Sequence, residues 1–349
     1  MLEFIVIASL VIAITITFLN GMNDAANAIS TVIVTRVLTP IKAVIWAAFW
    51  EFMAFFIFKV TVAEMIGGGI VQHGYINPYI IFSALIGAVI WVWLCTHYGM
   101  PISTSQALVG GMIGAVWFVH GMDALIMSNI IWIFAFIVIA PLAGIIVGFF
   151  IMCSVLFIFK NVKRKKVENV FKRLQLISSA AFSLGHGAND AQKTMGIIAL
   201  TMLIALQTTD ISETLNNVIS FIYDGEKGFY IPNSLAILCY VIISAGILVG
   251  GKKVIKTMGK DIARMDNAKG FCAETSGAIT LIISTILGMP VSSSHTMTGS
   301  IIGVGLTDGV KSVKWVTAKK IIWTWFMTIL APMVISGLIY MLIYNTCLK

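Results

Sequence analysis

Two near-copies of one costly motif constrain this chain more than any other feature. Gly21-Met22-Asn23-Asp24 and Gly187-Ala188-Asn189-Asp190 each lie inside a long apolar stretch, 166 residues apart. An aspartate at the centre of a membrane helix costs roughly 2.5–3.5 kcal/mol on insertion scales, and a residue kept at that cost is read first as functional. Finding the motif twice points to a duplicated fold in which both copies serve one composite site. The apolar setting is general: of 349 residues, 59% are hydrophobic and 11% charged, and mean hydropathy is +0.97. That profile belongs to a polytopic all-α membrane protein rather than a soluble domain. Stretches near 43–65, 79–97, 124–158, 233–251 and 321–344 are long enough to be spanning or membrane-buried helices. Residues 1–19 carry no basic n-region and no small-residue cleavage site follows, so a cleavable signal peptide is not expected. Cys95, Cys153, Cys239, Cys272 and Cys347 lack metal-type spacing and are expected to pack as small apolar groups.

The net charge of +8 is concentrated in four polar segments, 36–42, 160–173, 252–270 and 307–320, which hold most of the 23 basic residues. By the positive-inside rule these four are expected in the cytoplasm of a plasma-membrane protein. Segments 66–78 and 119–123 have no Lys or Arg, and 208–232 sets Lys227 among Asp210, Glu213, Asp224 and Glu226; these are expected outside, as are both termini. A basic loop between spans explains the charge without nucleic acid.

These sides constrain the threading. Segment 79–97 starts outside and 124–158 must end inside, so if both crossed fully 98–123 would have to cross as well. Pro101-Ile102-Ser103-Thr104-Ser105-Gln106 supplies the break: Pro ends a helix and Ser or Thr caps the next. A helix therefore descends, breaks at 99–105 and returns as 106–118, a re-entrant hairpin tolerated where protein or a water-filled cavity surrounds its tip. Pro290-Val291-Ser292-Ser293-Ser294-His295 repeats the pattern at an offset of 189, and Gly110 and Gly114 recur as Gly299 and Gly303, giving each returning helix a close-packing face. The second hairpin is flanked by basic segments and enters from inside. Each half then has three net crossings and one hairpin, so the chain reads as two inverted-topology repeats with broken helices, the architecture of secondary transporters. Residues 1–159 form the first repeat, 160–173 a basic cytoplasmic linker and 174–349 the second. Segments 2–36 and 174–207 are too long for one straight span and are expected to break or bend at their Gly-x-Asn-Asp.

Asp24 and Asn27 share a helix face, as do Asp190 and Lys193. Carboxylates, amide oxygens and hydroxyls near a helix break suit a hard cation such as sodium, so Asn23, Asp24, Asn27, Ser103, Asn189, Asp190 and Ser292 are its candidate ligands. Lys193 stands where the first copy has Asn27, and either neutralises Asp190 or helps hold an anion. At the tips, free N–H groups and the helix dipole bind anions. Thr104, Ser105, Gln106, Ser293, Ser294 and His295, with Lys193, are the candidate cradle for a tetrahedral oxyanion. An anion near two carboxylates is repelled unless cations lie between, so anion affinity depends on bound cation, which is cotransport written as linkage. Protonated carboxylates would serve equally. Glu51 and Glu274, not mates under the hairpin offset, are either gating or additional cation sites, or structural groups hydrogen-bonded within the bundle. His73, His97, His120 and His186 show no ligand pattern.

The paired Gly-x-Asn-Asp segments, the Ala-Asn-Ala after the first, the paired Pro-[Ile/Val]-Ser-[Ser/Thr]-Ser tips, and Met258-Gly259-Lys260-Asp261 leading to Gly270-Phe271 and Glu274 resemble the signatures of the inorganic phosphate transporter (PiT) family. The resemblance runs through both halves. It implies import of inorganic phosphate coupled to sodium or protons, no tightly bound cofactor, and homodimers in a lipid bilayer. It also implies that the family's essential Asp pair falls on Asp24 and Asp190 and its essential Glu pair on Glu51 and Glu274. The chain departs from the family pattern at Ala191-Gln192-Lys193. Other readings are a sulfate or metal–phosphate permease of the same fold and a passive anion channel. An enzyme is not expected: there is no His-Glu-x-x-His motif and no Ser–His dyad beyond the neighbours Ser294 and His295.

Overall fold

Small capping residues decide where the helices begin. In the computed structural model, which describes residues 1–208, 211–250 and 252–348, the Asn77 side chain accepts from Ile80 N–H (2.9 Å) and Pro78 takes the first helical position. Ser103 caps Gln106 N–H (3.4 Å), Asp266 caps Lys269 N–H (2.9 Å) and Ser292 caps His295 N–H (3.2 Å). Asp210 and Gly251, which fall in the outer acidic segment and an apolar stretch, lie outside the described residues, as does the side chain of His73.

The described residues form thirteen α-helices: α1 (Leu2–Val34), α2 (Pro40–Ile57), α3 (Thr61–Gly68), α4 (Pro78–Tyr98), α5 (Thr104–His120), α6 (Met127–Phe159), α7 (Arg164–Leu206), α8 (Glu213–Ile222), α9 (Asn233–Val249), α10 (Lys252–Lys260), α11 (Asn267–Ile286), α12 (Ser293–Leu306) and α13 (Trp315–Ile343). Helices α1, α2, α4, α6 and α13 are each long and apolar enough to cross a membrane. The stretch at 43–65 is not one helix; it divides into α2 and α3.

The two long segments differ from expectation. Helix α1 runs 33 residues and α7 runs 43, about 50 and 65 Å, with no break at either Gly-x-Asn-Asp. The motif glycines serve packing instead. A Cβ on Gly21 would be driven into the carbonyl of Ile243 on α9, and one on Gly187 would sit 2.6 Å from the carbonyl of Glu51 on α2. Helix α7 also starts inside the basic segment 160–173, so its exposed first turns carry much of that charge.

Both hairpins form. Gly99, at φ +71°, ends α4 in the left-handed region that favours glycine, and α5 packs back along it. The hairpin returns to the end from which it started. Asn77 at the start of α4 donates to the Tyr340 hydroxyl (3.0 Å), and His120 at the end of α5 lies 3.2 Å from that same oxygen. The second hairpin, α11–α12, opens beside an isolated bridge between Ala263 and Val313, with Lys269 bonded to Asp308. Tyr340 closes α13 and Lys314 precedes it, the latter donating to Ile262 O (2.8 Å). The two hairpins therefore open at opposite ends of α13.

The packing is reciprocal between halves. Helix α1 packs on α9, α10 and α4, while α7 packs on α2, α3 and α11. Helix α5 lies on α13 and α12 on α6. The glycine pairs read from the sequence make those last contacts: Gly110 and Gly114 face the carbonyls of Ile329 and Met333, and Gly299 and Gly303 face those of Pro141 and Ile145. Most of the basic residues gather at one end, although Lys253 reaches His97 O beside the first hairpin's tip (2.8 Å). Thr35 bonds Gln175 (2.9 Å), Lys314 reaches Lys260 O (2.8 Å), and a surface groove joins Lys160 and Arg164 to Asp266. At the other end Ser212 N–H donates to Glu3.

Candidate functional site

One stripe of polar side chains runs along each long helix, spaced at i, i+3, i+4 and i+7. On α1 it is Asn20, Asn23, Asp24 and Asn27; on α7 it is His186, Asn189, Asp190 and Lys193, and all eight are buried. The stripes meet at the two hairpin tips.

The asparagines of the motif hold the hairpins. Asn23 Nδ2 donates to Thr96 Oγ1 (2.8 Å) and Met100 O (3.5 Å). Asn189 Nδ2 makes the matching bonds to Thr285 Oγ1 and Met289 O, both 3.1 Å. Each threonine passes its own hydrogen to a carbonyl four residues back, Val92 O and Leu281 O (2.8 Å each). The Oδ1 atoms of Asn23, Asn27 and Asn189 have no partner among the described residues.

The carboxylates converge on the start of α12. Ser294 Oγ donates to Asp24 Oδ1 (3.0 Å) and accepts from Asn27 Nδ2 (2.8 Å). Ser293 Oγ lies 3.1 Å from Asp24 Oδ2 and 2.8 Å from Asp190 Oδ2. A hydroxyl has one hydrogen, so Ser293 serves one carboxylate at a time and the pair is short of donors. His186 Nε2 stands 3.2 Å from Asp190 Oδ2 and 3.6 Å from Asp24 Oδ2, while its Nδ1 is 2.5 Å from Glu51 Oε1. Lys193 Nζ donates to Asp190 Oδ1 and to Val291 O, both at 2.5 Å. Asp24, His186 and Asp190 present ligand atoms within 4.8 Å of one another. Two unit negative charges at that separation repel by ~3.5 kcal/mol at an effective dielectric of 20. Lys193 and His186 are the basic groups set against that repulsion.

The other tip differs. Ser103, Ser105 and Gln106 line a narrow cleft with Ser292, Pro290 and Val291 opposite, walled by Ile66, Phe136 and Ile137. Ser103 Oγ and Ser105 Oγ are 3.1 Å apart, Thr104 Oγ1 and Gln106 Oε1 are buried without partners among the described residues, and Gln106 Nε2 lies 3.4 Å from His295 Nδ1. His295 stacks on Trp325 at 3.8 Å. The structure thus sorts the serines differently from the sequence reading. Ser293 and Ser294, read as anion ligands, contact the carboxylates. Ser103 and Ser292, read as cation ligands, cap helices at the cleft.

The glutamates occupy unlike places. Glu51 on α2 engages His186, whereas Glu274 on α11 accepts from Thr31 (2.5 Å), Ser178 (2.5 Å) and Gln175 (3.0 Å), nearer the basic end. His186 is a correction: it has a ligand pattern after all, one turn before Asp190 on the same face. The spacing His-x-x-x-Asp in a motif-bearing helix was the available signal. Thr31, Gln175 and Ser178 carried none, because their partner Glu274 is remote in sequence.

Comparisons with known proteins fit this geometry. The sequence profile described as "Phosphate transporter family" matches residues 20–336. A protein of Rhizobium meliloti (strain 1021) named "Probable low-affinity inorganic phosphate transporter" is 40% identical over 336 residues, covering 96% of each chain. One of the same name from Bacillus subtilis (strain 168) is 31% identical, covering 98% of each. A solved structure titled "The sodium-dependent phosphate transporter" superposes with a TM-score of 0.82 at 26% identity, over 98% of this chain and all of that one.

Proposed function

The chain belongs to the phosphate transporter family, and from that premise we propose that it imports inorganic phosphate by symport with a cation, sodium first, through alternating access of two inverted repeats. It is a multi-pass membrane transporter and not an enzyme. The observation that carries the coupling is the carboxylate pair: Asp24 and Asp190, one from each half, share the Ser293 hydroxyl at the start of α12. Phosphate entering the adjacent cleft meets the hydroxyls of Ser103 and Ser105, Gln106, and the N-terminal end of α5. It also meets the field of two aspartates. A cation held by Asp24, with the free amide oxygens of Asn23 and Asn27 close along the same stripe, cancels that repulsion. Phosphate then binds well only with the cation, and the cation only with phosphate, which is reciprocal coupling.

The cleft has room for about 10 Å³, roughly one water, so a tetrahedral oxyanion requires the tips to separate. Reciprocal packing supplies the means, because each tip helix rides on a helix of the other half, α5 on α13 and α12 on α6. Rocking of one half against the other then opens the cleft to alternate ends. The homodimer and the cytoplasmic placing of the basic end belong to the same proposal. Radiolabelled phosphate uptake into proteoliposomes tests it. A sodium gradient should drive accumulation; accumulation driven by a proton gradient alone would reassign the cation, and none under any gradient would sink symport.

A further inference from the structure

We propose that the Lys193 ammonium is a built-in cation that fills the position of one coupling ion at Asp190, so that this chain moves one cation fewer per phosphate than a symmetric pair of sites would. The inference rests on the symport reading above and deepens it.

Two coupling positions would follow from duplication, one at each aspartate. The donors at Asp190 are those a hard cation takes: a carboxylate oxygen and a backbone carbonyl where the chain breaks before a helix. Both are engaged by Lys193 Nζ at 2.5 Å, Asp190 Oδ1 on α7 and Val291 O on the second tip. The Lys193 side chain is 3% exposed, so the ammonium is fixed within the protein rather than solvated. The corresponding residue on α1 is Asn27, a neutral amide. Its Nδ2 is spent on Ser294 and its Oδ1 remains without a partner among the described residues, as does Asn23 Oδ1. The α1 side therefore retains those two unpaired amide oxygens for an exchangeable ion, whereas the α7 side keeps only that of Asn189 and has its countercharge covalently attached.

The consequence is a count. With Asp190 neutralised by Lys193 and Glu51 facing His186, one mobile cation balances Asp24, the other carboxylate of the pair. Lys193→Asn, which recreates the α1 arrangement, frees Asp190 Oδ1 and Val291 O for a second ion.

Two measurements on the full-length protein decide it. Charge moved per phosphate, from paired current and radiolabelled flux in voltage-clamped proteoliposomes, should rise by about one elementary charge in Lys193→Asn whichever cation couples. Radioactive sodium bound per folded chain in the presence of phosphate should rise from about one to about two. Size-exclusion behaviour and thermal midpoint establish folding, and Lys193→Gln, with a longer amide, gives the same two readouts if the asparagine variant does not assemble. A folded variant with an unchanged charge-to-phosphate ratio overturns the proposal, as does a wild type that already binds two sodium ions. If wild type binds no sodium yet accumulates phosphate, sodium coupling is what fails, and the charge ratio alone decides the role of Lys193.

Discussion

The two polar stripes are copies in spacing and unlike in charge. Helix α1 presents Asn20, Asn23, Asp24 and Asn27; α7 presents His186, Asn189, Asp190 and Lys193. The asparagine–hairpin bonds match pair for pair, as do the glycines that let neighbouring helices approach. Within the stripes only the positions one turn before and one turn after the aspartate diverge, and there α1 has amides where α7 has a basic side chain. The scaffold is repeated because each half must build the same hairpin. The two aspartates are not held apart in the same way, for both meet at one serine hydroxyl.

The hardest test of that contrast is to neutralise each aspartate. Asp24→Asn and Asp190→Asn should both abolish gradient-driven phosphate uptake, the first by removing the ion's ligand and the second by freeing Lys193 to balance Asp24 in the ion's place. Their stabilities should part. Asp24→Asn removes a carboxylate short of donors. Asp190→Asn strands the buried Lys193 ammonium, and an orphaned buried charge costs about 3–5 kcal/mol. Thermal midpoints in detergent check this; equal midpoints for the two variants would show that Lys193 is not held by Asp190.

The scaffold should respond evenly. Gly114→Ala would push a Cβ into the Met333 carbonyl, and Gly303→Ala into that of Ile145. Overpacking of this kind costs about 1–3 kcal/mol, and the two variants should lose similar stability. A large difference would mean that one tip helix is free to shift and the other is not.

Much of this was legible in the sequence. Pro-x-Ser-x-Ser placed both tips, because proline ends a helix and serine starts one whatever surrounds them. Charge placed the basic segments at one end. Gly-x-Asn-Asp misled as to backbone, since a glycine that breaks a helix and one that admits a neighbouring helix look alike until the neighbour is known. Here the neighbours are Ile243 and Glu51, far away in sequence. The contacts of Ser103, Ser292, Ser293 and Ser294 were equally hidden: adjacent hydroxyls on a tip face different partners, and only the crossing of α1, α7 and α12 decides which meet carboxylate.

The serines give a graded test of that sorting. Ser294→Ala removes the donor to Asp24 and the acceptor for Asn27. It should raise both the cation and the phosphate half-saturation constants, each about tenfold for a bond to a charged group worth roughly 1.5 kcal/mol. Ser105→Ala, whose hydroxyl bonds only to Ser103 (3.1 Å) among the described residues, should raise the phosphate KM and leave the cation dependence in place. Equal shifts in both constants for both variants would erase the distinction between the tips.

The smallest effect probes the part of the repeat that has stayed symmetric. Thr96→Val and Thr285→Val keep shape and remove one hydroxyl each, taking the acceptor from Asn23 Nδ2 and Asn189 Nδ2 respectively. Neither amide is left wholly bare, because Met100 O at 3.5 Å and Met289 O at 3.1 Å remain. The residual bond is longer in the first half, so Thr96→Val should cost slightly more, with both near 1 kcal/mol. For a chain of this length that is a fall of roughly 1–2 °C in thermal midpoint, with phosphate KM and charge per phosphate unchanged. The amides would then be fasteners that duplication preserved intact. A changed charge ratio in either variant would instead put the asparagine in the ion path, and the symmetric fasteners would have to be counted with the asymmetric site.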